Sequence, residues 1–105
     1  MERVYVAGQF RNPSPELVNI NIIRAQRAGA KIAAKGCFPV VPHSMTAGFN
    51  ELQPAEFWLE ATMEEMLTCD AVFFMPGWEE SEGCKEEYRV AAERGMRIIH
   101  DLEEL

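Results

Sequence analysis

The sequence predicts an α/β fold: a small doubly wound parallel sheet of four strands, ordered 2-1-3-4, with helices on both faces. Three observations carry this. Short runs of β-branched and aromatic residues alternate with longer helical patterns in the order β-α-β-α-β-α-β. Consecutive strands are separated by helix-length crossovers, which parallel pairing in one sheet requires. "DAVFFM", Asp70 to Met75, is an almost continuous apolar run, as expected of a strand covered on both faces. At 105 residues the chain fits a single domain spanning 1–105, with room for one core.

"RVYVAG", Arg3 to Gly8, reads as the first strand, and "QFRNPSP", Gln9 to Pro15, as a loop. Ser14 stands where an N-cap belongs, with Pro15 at the first helical position, so a long helix is predicted from there to about Lys35. Its cations Arg24, Arg27, Lys31 and Lys35 share one face. Val18, Ile22, Ala25, Gly29 and Ala33 are predicted to face the sheet. Gly36 ends the helix. "CFPVVPH", Cys37 to His43, is predicted as the second strand, with Pro39 favouring a sheet edge. Ser44 to Pro54 reads as loop. A second helix is predicted over about Ala55 to Leu67, with Ala55, Leu59, Thr62, Met63 and Met66 on one stripe. After the Asp70–Met75 strand, "PGWEES" is a turn. A third helix spans about Gly83 to Arg94, and "MRIIH" is the last strand, followed by the acidic tail "DLEEL".

Composition narrows the function. The net charge is −7, and no block of Lys and Arg is dense enough to follow a phosphate backbone, so polymeric nucleic acid and anionic membrane are not expected partners. The three cysteines, Cys37, Cys69 and Cys84, form no C-x-x-C pair, and His43 and His100 add no zinc-ligand spacing. Reduced thiols, no metal and no cofactor are expected. A strand-like run begins at once, without a signal peptide, and no apolar run is long enough to cross a membrane, which places the expected location in the cytoplasm.

In a sheet ordered 2-1-3-4 the ligand crevice lies at the carboxyl ends of strands 1 and 3, where the order reverses. The bordering loops are Gly8 to Pro15 and Pro76 to Gly83, with His43 on the flank. The third helix starts at that crevice. Cys84, Tyr88, Ala91, Ala92 and Gly95 form its inward stripe, Glu86 lies nearly opposite, and Glu87 lies at the stripe's edge. A partly buried carboxylate is costly unless its charge is stabilised. The helix N-terminus offers about 0.3–1 kcal/mol toward that. Acidic residues also favour helix N-termini for structural reasons alone.

"YVAG" with Arg11 after it, "CDAVFFMPGW", and Ser81-x-Gly83-x-x-x-Glu87 with Ala91 and Gly95 together resemble the nucleoside 2-deoxyribosyltransferase superfamily. Within it, the functional branch most similar is the 2′-deoxynucleoside 5′-monophosphate N-glycosidases. Short bacterial and phage domains share "CDAVFFMPGW" and the Ser-x-Gly pattern, some with "FPVVPH". The resemblance implies that Glu87 attacks C1′ of a deoxyribose and displaces the base, that Tyr5 hydrogen-bonds near it, and that Gly8, Arg11 and Ser81 hold a 5′-phosphate. It implies N-glycosidic hydrolysis or deoxyribosyl transfer, and a homodimer or larger assembly. The alternative is a module that binds a nucleotide or nucleotide sugar without turnover. One departure stands out: the superfamily's aspartate, which helps protonate the leaving base, is replaced here by Thr62.

Several neighbouring residues have both a structural and a functional reading. Tyr5 is either a core aromatic or a site residue. Arg11, beside Gln9 and Phe10 in the first loop, is either a solvated charge or a phosphate ligand. Ser81 serves as an N-cap and can bind an anion as well. His43 lines the site or packs beside it. Trp78, next to Gly77, either covers the crevice and stacks a base, or packs on the helix beside it, or packs against another subunit. Gly83 completes the set of binding candidates. Asp70, at the far end of its strand, reads as a structural cap. Asn19 and Asn21 sit in a helix that would prefer other residues.

Overall fold

A computed structural model describes all 105 residues, the side chain of Asn50 excepted. Strands β1 (Arg3–Ala7), β2 (Phe38–Val40), β3 (Ala71–Phe74) and β4 (Arg97–Ile99) form one sheet in the order β2-β1-β3-β4. The three pairings are parallel, with Tyr5 opposite Val40 on one side and Val72 on the other. The main helices are α1 (Pro15–Ala34), α3 (Ala55–Leu67) and α4 (Glu82–Glu93), and a short α2 covers Pro42–Met45. The predicted fold class and strand order are those of the molecule.

Strand alternation divides the core. Val4 and Val6 face α1, where they pack with Ala25, Ala28, Ile32, Phe73 and Met75. Tyr5 and Ala7 face the opposite layer, with Met66, Phe74, Cys84 and Ala91 of β3, α3 and α4. The period-two geometry of β1 therefore sends the Tyr5 ring toward α4 rather than toward α1. Asp70 caps the lower end of the sheet, its Oδ2 accepting from the Arg3 amide at 2.8 Å.

Three local expectations change. The inward face of α1 is Asn21, Ala25, Ala28, Gly29 and Ile32, whereas Ala33 is exposed. The face is set by which small residues allow close approach: a Cβ on Gly29 would stand 2.9 Å from Val41 Cγ2. β2 ends at Val40, and Pro42 opens α2, so His43 is helical rather than the last residue of a strand. Proline at a first helical position is favourable because its missing N–H has no helical acceptor there. The stretch expected as loop from Ser44 to Pro54 accordingly holds the end of α2 and a 3₁₀ turn at Asn50–Leu52. On α4 the buried stripe is Cys84, Glu87 and Ala91, while Ala92 and Gly95 are exposed. No described helix is long and apolar enough to cross a membrane.

Gly8 ends β1 because nothing larger fits: an added Cβ would meet Met75 Sδ at 2.7 Å and Met75 Cβ at 3.2 Å. Overpacking of this kind costs about 1–3 kcal/mol. Gly8→Ala is expected to lower the unfolding free energy by that much, read as a lower urea midpoint at an unchanged m value. An unchanged midpoint would show that Met75 yields at no cost.

Candidate active site

The carboxyl end of β1 opens into a cavity of about 760 Å³ that the start of α4 also borders. Its floor is Glu87 and Tyr5. Tyr5 is 1% exposed and Glu87 6% exposed, and the phenol donates to Glu87 Oε2 at 2.5 Å. Glu87 is thus not at the edge of the buried stripe of α4 but part of it, one turn after Cys84 and one turn before Ala91. Burial pushes its carboxyl from the ordinary 4.5 up to about 7, against the opposing effect of the Tyr5 hydroxyl and the Cys84 thiol. Burial, and then the Glu87 charge, hold the Tyr5 phenol well above its usual range. The Cys84 thiol is pushed up to about 12, first by burial and then by Glu87, so it is a poor nucleophile.

The first wall is the loop after β1. Gly8, Gln9, Phe10 and Arg11 all line the cavity. Three successive carbonyls of this loop are held from below. His43 Nε2 lies 3.1 Å from the Gly8 carbonyl and 3.0 Å from that of Gln9, and Asn21 Nδ2 donates to the Phe10 carbonyl at 3.2 Å. A carbonyl only accepts, so His43 carries its proton on Nε2. Burial lowers its pKa, which keeps the ring neutral. The Phe10 ring packs on His43 with centroids 5.3 Å apart. Among the described residues the amides of Gln9, Phe10 and Arg11 donate to no protein acceptor, and Arg11 makes no ion pair.

The second wall is the start of α4. The Ser81 side chain caps the helix, accepting from the Cys84 amide at 3.2 Å. The amides of Glu82 and Gly83, in the first turn, have no described protein acceptor. Helix N-termini of this length attract anions through such amides and the helix dipole. The acidic neighbours are partly neutralised: Glu80 accepts from Gln9 Nε2 at 2.9 Å, Glu82 pairs with Lys85 at 2.9 Å, and Glu86 pairs with Arg89 away from the cavity.

The third wall is the first two turns of α3, with Glu56, Trp58, Leu59 and Thr62. The Thr62 hydroxyl donates to the Trp58 carbonyl at 2.8 Å. Among the described residues, no three His, Cys, Asp or Glu side chains come close enough to share a metal ion.

The structure brings Tyr5, Gly8, Gln9, Phe10, Arg11, His43, Ser81, Gly83 and Glu87 to one cavity, and it sets two candidates apart. Gly77 is the left-handed turn after β3, at φ +90°. Trp78 stacks on Tyr88 with centroids 4.7 Å apart and lies against Phe74 and His100, so it packs on the neighbouring α4 and does not line the cavity. The aromatic wall is Trp58. Its place is readable in hindsight, four residues before Thr62 and so on the same helical face. Asn21 is likewise four residues before the buried Ala25. Its polarity on an inward face is the signal, since a buried amide needs a partner.

The chain belongs to the family described as a domain of unknown function, DUF4406, whose profile matches residues 2–100. No curated protein matches the sequence.

The Glu87 carboxyl binds its proton more tightly in the folded than in the unfolded chain. Its contribution to stability is therefore full below about pH 4.5 and is lost as pH rises through about 7. Glu87→Gln removes this loss. The variant is expected to match the wild type near pH 4.5 and to exceed it at pH 8 by up to about 3 kcal/mol in urea unfolding. Parallel stability profiles for the two proteins would contradict the raised pKa.

Proposed function

We propose that this DUF4406 member cleaves the N-glycosidic bond of a deoxynucleoside 5′-monophosphate through a glycosyl-Glu87 intermediate, with water or another base as acceptor. The observation that carries this reading is the buried Glu87 carboxylate held by the Tyr5 hydroxyl at 2.5 Å on the floor of a cavity with an anion-binding rim. A nucleophilic carboxylate needs a fixed orientation and limited solvation, and both are supplied here. The rim combines the Arg11 guanidinium with the amides of Gln9 to Arg11 and of Glu82 and Gly83, which have no acceptor among the described residues. That combination suits a phosphate: the guanidinium can form two parallel bonds, and the amides add fixed dipoles. Tyr5 orients the carboxylate and lowers the pKa that burial raises. His43 and Asn21 hold the loop from behind.

One observation favours a second reading, a module that binds a nucleotide or nucleotide sugar without turnover. Thr62 occupies the wall where the leaving base would need a proton, and its own proton is donated to Trp58. The assembly, a homodimer or larger with a neighbouring copy completing the rim, belongs to the same proposal and is checked by light scattering.

Incubation with deoxynucleoside monophosphates is expected to release free base, and Glu87→Ala to reduce release to the spontaneous rate. Equal release by both proteins would refute the enzyme, and calorimetric binding without release would favour the module. Because attack needs the ionised carboxylate, kcat/KM is expected to rise with pH and level off above about 7. In Tyr5→Phe the rise moves to higher pH, since the hydroxyl that lowers the Glu87 pKa is gone. A rise at unchanged pH would exclude that role for Tyr5. Arg11→Ala is expected to raise KM for the monophosphate while leaving turnover of the unphosphorylated nucleoside unchanged.

A further inference from the structure

Three protons beside the cavity are already directed at protein acceptors. Tyr5 gives its proton to Glu87, Thr62 gives its own to the Trp58 carbonyl, and His43 directs its Nε2–H at the carbonyls of Gly8 and Gln9. None of these groups is a ready acid: the Tyr5 phenol lies well above its usual range, the Cys84 thiol is pushed up to about 12, and the His43 ring is neutral. Glu87 cannot serve as acid in the step in which it attacks. An ordinary purine or pyrimidine leaves C1′ as an anion unless an acid protonates it, and that assistance is worth about 10²–10⁴-fold in rate.

What this part of the cavity offers a leaving base is negative. Trp58 presents an indole, the ring type that binds cations best. Glu56 is an exposed acidic residue on the same wall, and the Thr62 hydroxyl, a weak acid in any rotamer, donates to the Trp58 carbonyl at 2.8 Å. Arg11, the one cation among the described lining residues, belongs to the loop after β1, in the opposite wall.

We infer that the substrate class of this site is a deoxynucleotide whose base already carries a fixed positive charge, as an N7-alkylated purine does, and that such a base departs without being protonated. The inference rests on the glycosidase reading above. In the first step a Glu87 oxygen bonds to C1′ while the C1′–N9 bond breaks. The electron pair goes to N9 and cancels the imidazolium charge, so a neutral alkylated base leaves. In the second step a water oxygen bonds to C1′, the C1′–O bond to Glu87 breaks with its pair returning to the carboxylate, and one water proton passes to solvent. The products are the alkylated base and deoxyribose 5-phosphate.

The test compares N7-methyl-2′-deoxyguanosine 5′-monophosphate with dGMP under the wild-type protein, following free base by chromatography and subtracting the release measured without protein. The methylated nucleotide is expected to be favoured by about 100-fold or more in kcat/KM, and Thr62→Asp to narrow that gap by raising the dGMP rate. Equal rates for the two nucleotides under the wild type would overturn this inference and leave the glycosidase reading standing. Release from neither above the spontaneous rate would overturn both.

Discussion

The hydrogen bond from Tyr5 to Glu87 is the contact on which the site depends. It joins the central strand β1 to helix α4, elements 82 residues apart in sequence, across the layer that also holds Met66, Phe74 and Ala91. An ionised carboxylate in such a layer is expensive, and a single well-aligned donor offsets only part of its desolvation. The imbalance appears as a carboxyl pKa near 7. A purely structural residue at this position would be apolar, as Cys84 and Ala91 on the same face are. The fold tolerates Glu87 at a cost in stability at neutral and alkaline pH, a pattern common where a site needs a reactive group.

The loop above that floor is shaped by what lies behind it. Gly8 allows the chain to pass over Met75, and His43 and Asn21 engage the carbonyls of residues 8, 9 and 10. A peptide whose carbonyls are all directed at the protein body keeps its amides for something else. The neutral His43 suits this task because its one ring proton is the donor that two carbonyls share. Thus α1, α2 and β1 each contribute to the same few ångströms of backbone, although Arg11 is the only residue of the group whose charge suggests a ligand.

Much of this arrangement is legible in the chain itself, and the exceptions have physical causes. The strands and the three long helices follow from periodicity, caps and the run Ala71–Phe74, because those signals are local. Val40 and Val41 are β-branched and prolong the local strand signal, but β2 ends sooner, and Pro42 opens a helical turn that carries His43 to the β1 loop. The face of α1 was rotated because its alanines, glycines and isoleucines are nearly equivalent on hydropathy alone, and close contact with Val41 decides among them. Trp78 and Trp58 are both plausible lids by composition. The ring of Tyr88, one turn and more along α4, captures Trp78 and leaves Trp58 beside the cavity.

The amino-acid sequence by itself implied the layers: alternating β and α signals with crossover-length connections imply a parallel sheet with helices on its faces, and the order 2-1-3-4 expected of it puts the reversal point between β1 and β3. It also singled out Glu87 among its acidic neighbours by helical position. The depth at which Glu87 sits, the bond it accepts from Tyr5, and the pinning of the β1 loop by Asn21 and His43 were decided only by the tertiary structure. Each of these depends on distances between elements far apart in sequence, and neither propensity nor periodicity carries that information.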